Sequence, residues 1–309
     1  MVKDPTGLVQ SRREFLGQIA AGGAALTLPV ASALSAEAPT PRERPILAFS
    51  KAFQHLNFED TADLVAEVGF DGIDCPVRKG GQVLPDRVED DLPRLAAALK
   101  KRGRQLPSIV TDVMGAGDPQ TERVLRAASK LGIRLYRLGF VNYREDTPLP
   151  KQLDEVRARL RDLVALNREL GLCAGFQNHS GGTNIGGPVW DIYEVIRDLD
   201  PKYIGAFFDI GHATIEGGHS WQLHARLMQP LFKEVYVKDF TWQKGSRGWE
   251  SRWCALGEGM ISPAFFTKFV RGGFAGPIVQ HHEYPIGTGR ELVSALKKDL
   301  VTLKAWLAA

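Results

Sequence analysis

The stretch Phe-Asp-Ile-Gly-His at residues 208–212 ends an apolar run of strand length and precedes a helical pattern. Three further stretches have the same position relative to an apolar run: Phe-Gln-Asn-His at 176–179, Tyr-Val-Lys-Asp at 236–239 and His-His-Glu-Tyr at 281–284. In a (β/α)8 barrel the C-terminal ends of the strands converge on one mouth. The spacing therefore predicts that these polar groups meet in one pocket.

The rest of the chain alternates between strand-like and helical patterns. Eight strands are predicted, at 46–49, 72–75, 106–111, 135–139, 173–177, 204–209, 234–238 and 277–283. Amphipathic helical stretches alternate with them, at 58–68, 88–101, 119–131, 153–170, 189–199, 223–231, 263–270 and 291–307. This count predicts an α/β fold, a single (β/α)8 TIM barrel over 46–309, with an open α/β sheet as the alternative.

Composition limits the class of partner. The 309 residues are 44% hydrophobic and 24% charged, which is ordinary for a globular protein. The 39 Lys and Arg residues nearly balance the 36 Asp and Glu residues. A nucleic-acid partner is therefore not expected, because such proteins carry a strongly basic face.

Residues 1–36 resemble a twin-arginine signal peptide. Arg12 and Arg13 precede a stretch without charges that runs from Phe15 to Ala36 and ends in small residues. The stretch is too weakly apolar for a good membrane span, so no stable span is expected. We expect export to the periplasm by the twin-arginine translocase, with residues 37–45 as a linker. The alternative is an uncleaved anchor or a chance arginine pair.

Alternation within strands groups the candidate site residues. Glu283 and His281 share one face of the predicted last strand, and Tyr236 and Lys238 share one face of the seventh. Asp209 ends the sixth strand. A site of carboxylates with an imidazole suits zinc, manganese or cobalt.

Six motifs taken together, at these strand ends and in this order, resemble the xylose-isomerase-like barrels of the sugar phosphate isomerase/epimerase superfamily. The resemblance covers nearly all of residues 44–307. Its carriers are Gly69-Phe70-Asp71-Gly72-Ile73-Asp74, Gln177-Asn178-His179, Phe208-Asp209-Ile210-Gly211-His212-Ala213, Val237-Lys238-Asp239, Leu256-Gly257-Glu258-Gly259 and Glu283-Tyr284.

The resemblance implies one divalent metal held by Glu, Asp, His and Glu at the ends of strands five to eight. These positions correspond to Gln177, Asp209, Tyr236 and Glu283, so two of the four depart from the family pattern. Gln is a neutral ligand and no base, and Tyr is a poor ligand unless it is deprotonated. We expect any metal, whether Mn, Zn, Co or Mg, at Asp209, Glu283, Gln177 and His281.

The same resemblance implies proton abstraction next to a carbonyl. We expect Glu283 to be the general base, with Gln177, Lys238 and His179 completing the catalytic set. Substrate-binding residues are expected at four positions: Lys51, Arg78, His212 and Trp242. The structural alternative for Lys238 is an ion pair with Asp239 or Glu258.

The leading function is therefore a carbohydrate isomerase, epimerase or lyase acting on a small-molecule free sugar or oxidised glycoside. A sugar-binding or accessory barrel that has lost its chemistry is the second interpretation, favoured by the neutral Gln177 and by Tyr236. A metal-dependent phosphodiesterase resembling endonuclease IV is the third. Its site needs a richer set of His and Glu ligands than this chain offers.

Overall fold

The computed structural model describes residues 44–246 and 248–309. The predicted signal peptide and all but the last two residues of the predicted linker lie outside the described residues. None of the described helices is long and apolar enough to cross a membrane.

Eight parallel strands close into a barrel, as the sequence predicts. They are β1 (Ile46–Phe49), β2 (Gly72–Pro76), β3 (Gln105–Val110), β4 (Leu135–Arg137), β5 (Cys173–Gln177), β6 (Ile204–Asp209), β7 (Phe232–Val237) and β10 (Ile278–Gln280). Their order around the barrel is β1-β10-β7-β6-β5-β4-β3-β2. β4 and β10 are shorter than predicted, so His281 and Glu283 follow the last strand and do not lie within it.

Helices surround this barrel. They are α1 (Phe58–Val68), α2 (Val88–Lys101), α3 (Pro119–Lys130), α4 (Leu149–Leu170), α5 (Val189–Ile196), α6 (Ile210–Gly217), α7 (Trp221–Met228) and α8 (Gly289–Ala308). The sequence analysis missed α6, which begins directly after β6 because Asp209 caps its first turn. The helix predicted at 263–270 is reduced to a π-helical turn at Phe266–Val270.

A β-hairpin follows β7 where the sequence analysis predicted a loop. Strands β8 (Asp239–Gly245) and β9 (Gly248–Cys254) pair antiparallel. The Asp239 carboxylate anchors the base of the hairpin. It accepts hydrogen bonds from the backbone N–H groups of Gly257, Gly259 and Ile261 at 2.9–3.1 Å. A Cβ at Gly259 would lie 2.3 Å from the Asp239 carboxylate, so this position requires glycine.

Side chains fill the barrel interior. The apolar layer consists of Leu47, Phe49, Val110, Phe207, Tyr236 and Val279. Gly175 makes room for the Phe207 ring, since a Cβ there would lie 1.8 Å from it. A larger apolar cluster fills the space between the strands and the surrounding helices. The interior is a packed core, which leaves the C-terminal mouth as the place for a site.

Candidate active site

A cavity of about 80 Å³ opens at the C-terminal ends of the strands. Its lining includes seven residues that the sequence analysis singled out: Lys51, Arg78, Gln177, His179, Lys238, His281 and Glu283. Phe49, Arg137 and Phe140 complete the lining and were not predicted. The structure therefore brings most of the predicted site residues together around one cavity.

Lys238 occupies the centre of the charged groups. Its Nζ lies 3.1 Å from Asp209 Oδ2 and 3.8 Å from Glu283 Oε1. The side chain is 3% exposed, and Nζ lies 4.8 Å from the centre of the Trp253 ring. The structural alternative for Lys238, an ion pair with Asp239 or Glu258, is wrong, because the lysine pairs across the barrel mouth.

Asp209 is completely buried, and neighbouring donors hold it in place. Gln177 Nε2 donates to Oδ2 at 2.9 Å, and the backbone N–H of His212 donates to Oδ1 at 3.1 Å. The Asn178 side chain bonds both the N–H and the C=O of Asp209 at 2.8 Å. Gln177 thus acts as a hydrogen-bond donor to the carboxylate and fixes its orientation.

Glu283 faces the cavity between two ammonium groups. Lys51 Nζ donates to Oε2 at 2.9 Å, and Lys238 lies near Oε1. Burial alone raises the pKa of this carboxyl, but His281, Lys238 and Lys51 outweigh burial and hold the pKa well below its usual range. Glu283 is therefore a carboxylate at neutral pH.

The His281 ring lies at the bottom of the cavity, above the layer that contains Tyr236. This ring stacks on Phe49 at 4.4 Å and contacts Tyr236 at 4.3 Å between centroids. Among the described residues neither ring nitrogen has a partner within hydrogen-bond distance, and the nearest carboxylate oxygen to Nδ1 in its ion pair is Glu283 Oε1 at 3.8 Å. Burial lowers the pKa of His281 to about 4, so the imidazole is neutral at pH 7.

Tyr236, which aligns with the family histidine, lies one layer deeper than the cavity. Its hydroxyl donates to Asp74 Oδ2 at 2.9 Å, and Ser108 donates to Oδ1 at 2.8 Å. Burial raises the pKa of the Asp74 carboxyl to about 6. Glu234 lies on the same inward face, and neither of its carboxyl oxygens has a partner. Tyr236 therefore belongs to the barrel floor and cannot reach a metal at the mouth.

The predicted metal ligands do not fit a divalent ion as they are placed. The Lys238 ammonium lies between Asp209 and Glu283, where a cation held by both carboxylates would bind. Gln177 presents its N–H₂ group to Asp209, and N–H donors do not bind metals. Among residues 44–246 and 248–309, no three His, Cys, Asp or Glu side chains group as a metal site requires. In this arrangement Asp209, Glu283, Gln177 and His281 do not form a metal site, and metal binding stays a prediction.

Two histidine rings pack against each other at a tilt beside the cavity. The rings of His179 and His212 are 3.9 Å apart between centroids, and Ser180 Oγ lies 2.7 Å from His212 Nδ1. His212 is buried and does not line the cavity, contrary to the prediction that it binds substrate. Burial and the positive charge of Lys238 lower the pKa of both imidazoles. His179 lines the cavity, so it is the histidine of this pair that a ligand can reach.

Trp242 is likewise misplaced by the prediction. Its ring packs edge-on against Phe240 at 5.6 Å, is 42% exposed and does not line the cavity. Trp253, on the other strand of the hairpin, contacts both Lys238 and His212. The hairpin therefore supports the site from the side through Trp253.

Arg137 is the main site residue that the sequence analysis missed. It ends β4, is 2% exposed, and lies with its guanidinium carbon 4.3 Å from the centre of the Phe140 ring. Nη1 reaches Gln177 Oε1 at 3.5 Å, and Nη2 has no partner. Leu135 and Arg137 share one face of β4, and that alternation could have identified an inward-pointing charge.

A closed parallel barrel with carboxylates, imidazoles and cations around one C-terminal cavity is the arrangement of TIM-barrel enzymes. A family model described as "Xylose isomerase-like TIM barrel" matches residues 62–304, and the chain belongs to this family. The resemblance drawn from the strand-end motifs is thereby confirmed. A search of curated proteins found no match.

Several solved structures share the fold. The 3-keto-D-glucoside 4-epimerase of E. coli is 17% identical, with a TM-score of 0.66 over 85% of this chain and 100% of that one. D-psicose 3-epimerase of Clostridium cellulolyticum H10, solved with D-tagatose, is 12% identical, with a TM-score of 0.66 over 85% and 99%. A xylose isomerase-like protein of Mycobacterium smegmatis in complex with magnesium is 16% identical, with a TM-score of 0.65 over 87% and 98%.

Proposed function

We propose that this protein is a carbohydrate isomerase or epimerase that moves a proton at a carbon next to a carbonyl. The observation that carries the proposal is the Lys238 ammonium, held between Asp209 and Glu283 at the cavity. The fold neighbours named as sugar epimerases support the substrate class.

Lys238 supplies the positive charge in this chemistry. When a proton leaves the carbon, its bonding electrons shift to the carbonyl oxygen and form an enolate. An ammonium in a site shielded from water stabilises that charge far better than it would in bulk water. Asp209 keeps the ammonium in place, because it lies 3.1 Å away and is itself fixed by Gln177 and Asn178.

Glu283 and His179 are the groups that exchange protons. Glu283 is ionised and faces the cavity, and Lys51, which is 47% exposed, can move aside when a ligand enters. His179 Nδ1 lies 2.9 Å from Ser180 O, so an N–H there leaves the lone pair on Nε2. For isomerisation, the base that removes the proton becomes its acid form and returns that proton to the neighbouring carbon, after the hydroxyl proton of that carbon moves to the former carbonyl oxygen. For epimerisation, the second group first takes up a proton from solvent and delivers it to the opposite face, and the first group releases its proton to solvent.

Exchange of carbon-bound protons with D₂O, followed by NMR on a panel of ketohexoses and 3-ketoglycosides, tests the proposal. Glu283→Gln keeps the shape but removes the base, so exchange is expected to fall by roughly 10²- to 10⁴-fold. Glu258→Gln, at an exposed glutamate outside the cavity, is the matched control. Exchange that survives Glu283→Gln would show that Glu283 is not the base.

A sugar-binding barrel without catalysis is the second candidate. The observation that favours it is Glu283 itself, since a carboxylate whose pKa is held so low is a weak base. This candidate predicts that the wild type binds sugars but exchanges no proton on any of them. Lys51→Met removes one of the cations beside Glu283 and should make this carboxylate more basic. If the protein only binds sugars, the variant should still exchange no proton on any of them.

We also propose that the protein is exported by the twin-arginine route, on the strength of Arg12 and Arg13 and the uncharged stretch after them. Replacing both arginines with lysine should leave the precursor in the cytoplasm. Fractionation and blotting would measure this, and unchanged export would contradict the proposal.

A further inference from the structure

The cations around the cavity outnumber the carboxylates. Lys51, Arg78, Arg137 and Lys238 line it, and Glu283 is the only carboxylate in that lining. Glu283 and the adjoining Asp209 pair with the two lysines. Within residues 44–246 and 248–309 the two arginines form no ion pair, and the charge of Asp74, one layer below, acts on both of them from a longer distance. The cavity lining therefore carries more positive than negative charge.

Arg137 has an unused donor. It is 2% exposed, and within residues 44–246 and 248–309 its Nη2 has no hydrogen-bond partner, while Nη1 has only the long contact to Gln177. The Phe140 ring covers one face of the guanidinium and leaves its N–H edge as the group that can bind. A buried charge without a partner is unfavourable. Its partner is therefore expected to be a ligand.

Arg78 presents a second cation to the same cavity. It follows β2, and its side chain forms no hydrogen bond or ion pair within the described part of the chain. Burial lowers the pKa of Arg137 to about 10, and the positive charge of nearby Arg78 adds to this effect. An anion bound between the two guanidinium groups would reduce the repulsion between them.

We propose that the substrate is an acidic sugar whose carboxylate binds to Arg137 and Arg78. This inference rests on the proposed function, because it assigns the substrate class of the same site. The planar guanidinium matches a carboxylate in two parallel hydrogen bonds. The carbonyl end of the sugar then faces Lys238 and Glu283, on the other side of the cavity. A sugar phosphate would share the anion chemistry, so the test includes one.

Isothermal titration of the wild type with D-galacturonate, D-galactose and D-galactose 6-phosphate measures the preference. Galacturonate is expected to bind roughly 10- to 100-fold more tightly than galactose, the range for hydrogen bonds to charged groups. Equal affinities for galacturonate and galactose would overturn the inference. A phosphate that binds ten times more tightly than galacturonate would overturn the assignment of the anion as a carboxylate.

Variants locate the anion. Arg137→Gln and Arg78→Gln should each remove most of the preference for galacturonate, and Lys79→Gln, at an exposed neighbour outside this cavity, should keep it. Arg78 is only partly buried, so its variant remains informative even if Arg137→Gln fails to fold. A preference retained in Arg78→Gln and in any folded Arg137→Gln would contradict the assignment.

Failure of this inference and failure of the proposed function give different results. Preference for galacturonate without proton exchange on any sugar would contradict the isomerase proposal and support the anion site. Proton exchange on neutral sugars without a preference for galacturonate would overturn the anion site alone.

Discussion

Two pairs of carboxyl groups lie one layer apart in the barrel, and they differ in what neutralises them. At the mouth, Asp209 and Glu283 share the ammonium of Lys238. In the floor, Asp74 and Glu234 have no cation within ion-pair distance among the described residues. Asp74 has two hydroxyl donors, whereas neither carboxyl oxygen of Glu234 has a hydrogen-bond partner in this part of the chain.

The two layers differ in the pKa values of their carboxyl groups. Burial raises the pKa of Asp74 to about 6 and that of Glu234 well above its usual range. At the mouth, the neighbouring cations and His281 hold the pKa of Glu283 well below its usual range despite burial. Carboxyl groups of one chemical type thus have raised pKa values in the floor and a lowered pKa at the mouth, where cations pair with them.

The largest effect is expected from removing that lysine. Lys238→Met should lower proton exchange at least ~10²-fold, because the developing enolate loses its stabilising charge. It should also cost about 3–5 kcal/mol of unfolding free energy, because buried Asp209 is left unpaired. Exchange rates and urea unfolding measure the two effects.

A second substitution sharpens this test. Adding Asp209→Asn to Lys238→Met should restore stability, because it removes the unpaired charge of Asp209. It should not restore activity, because the double variant still lacks the ammonium that stabilises the enolate. Lys298→Met, at a lysine that is 59% exposed, is the control and should change neither. Full activity in Lys238→Met would refute the role of the ammonium.

Restoring a family ligand tests whether the lysine excludes a metal. Gln177→Glu adds a carboxylate beside Asp209 and should increase manganese or zinc affinity. The increase should be small while Lys238 is present, and at least ~10-fold larger when Lys238→Ala is added, because the ammonium repels a divalent cation. Titration calorimetry compares the two variants. Equal affinities in both would mean that the lysine does not compete with metal.

The buried carboxyl group of Glu234 should make the free energy of unfolding depend on pH. The pKa of Glu234 is higher in the folded than in the unfolded chain, so its contribution is present below the unfolded value of about 4 and is lost as pH rises towards the folded value. Glu234→Gln should therefore gain stability relative to the wild type as the pH rises from about 4 towards neutral. Unfolding midpoints across this range measure the trend, which Glu258→Gln should not show.

The sequence predicted the barrel because strand length, helical spacing and strand-end polarity agree along the whole chain. It also selected Gln177, Lys238 and Glu283, since local position alone places these side chains at the mouth. It could not predict that Lys238 reaches between Asp209 and Glu283. That contact depends on side-chain directions across three strands, which no local pattern encodes.

Two misses had a local signal. In the sequence of the 239–254 region, Gly-Ser-Arg-Gly separates two strand-like segments, which is a hairpin signature. Arg137 alternates with Leu135 on an inward face. By contrast, the position of Tyr236 below the mouth follows from its hydrogen bond to Asp74, 162 residues away in sequence, and required the structure.

The metal content of the purified wild-type protein tests the central claim most directly. If the Lys238 ammonium replaces the family metal, elemental analysis will find well under one divalent ion per chain, and proton exchange will survive dialysis against a chelator. About one manganese, zinc, cobalt or magnesium ion per chain, with exchange lost on chelation and regained on adding the metal, would contradict the account.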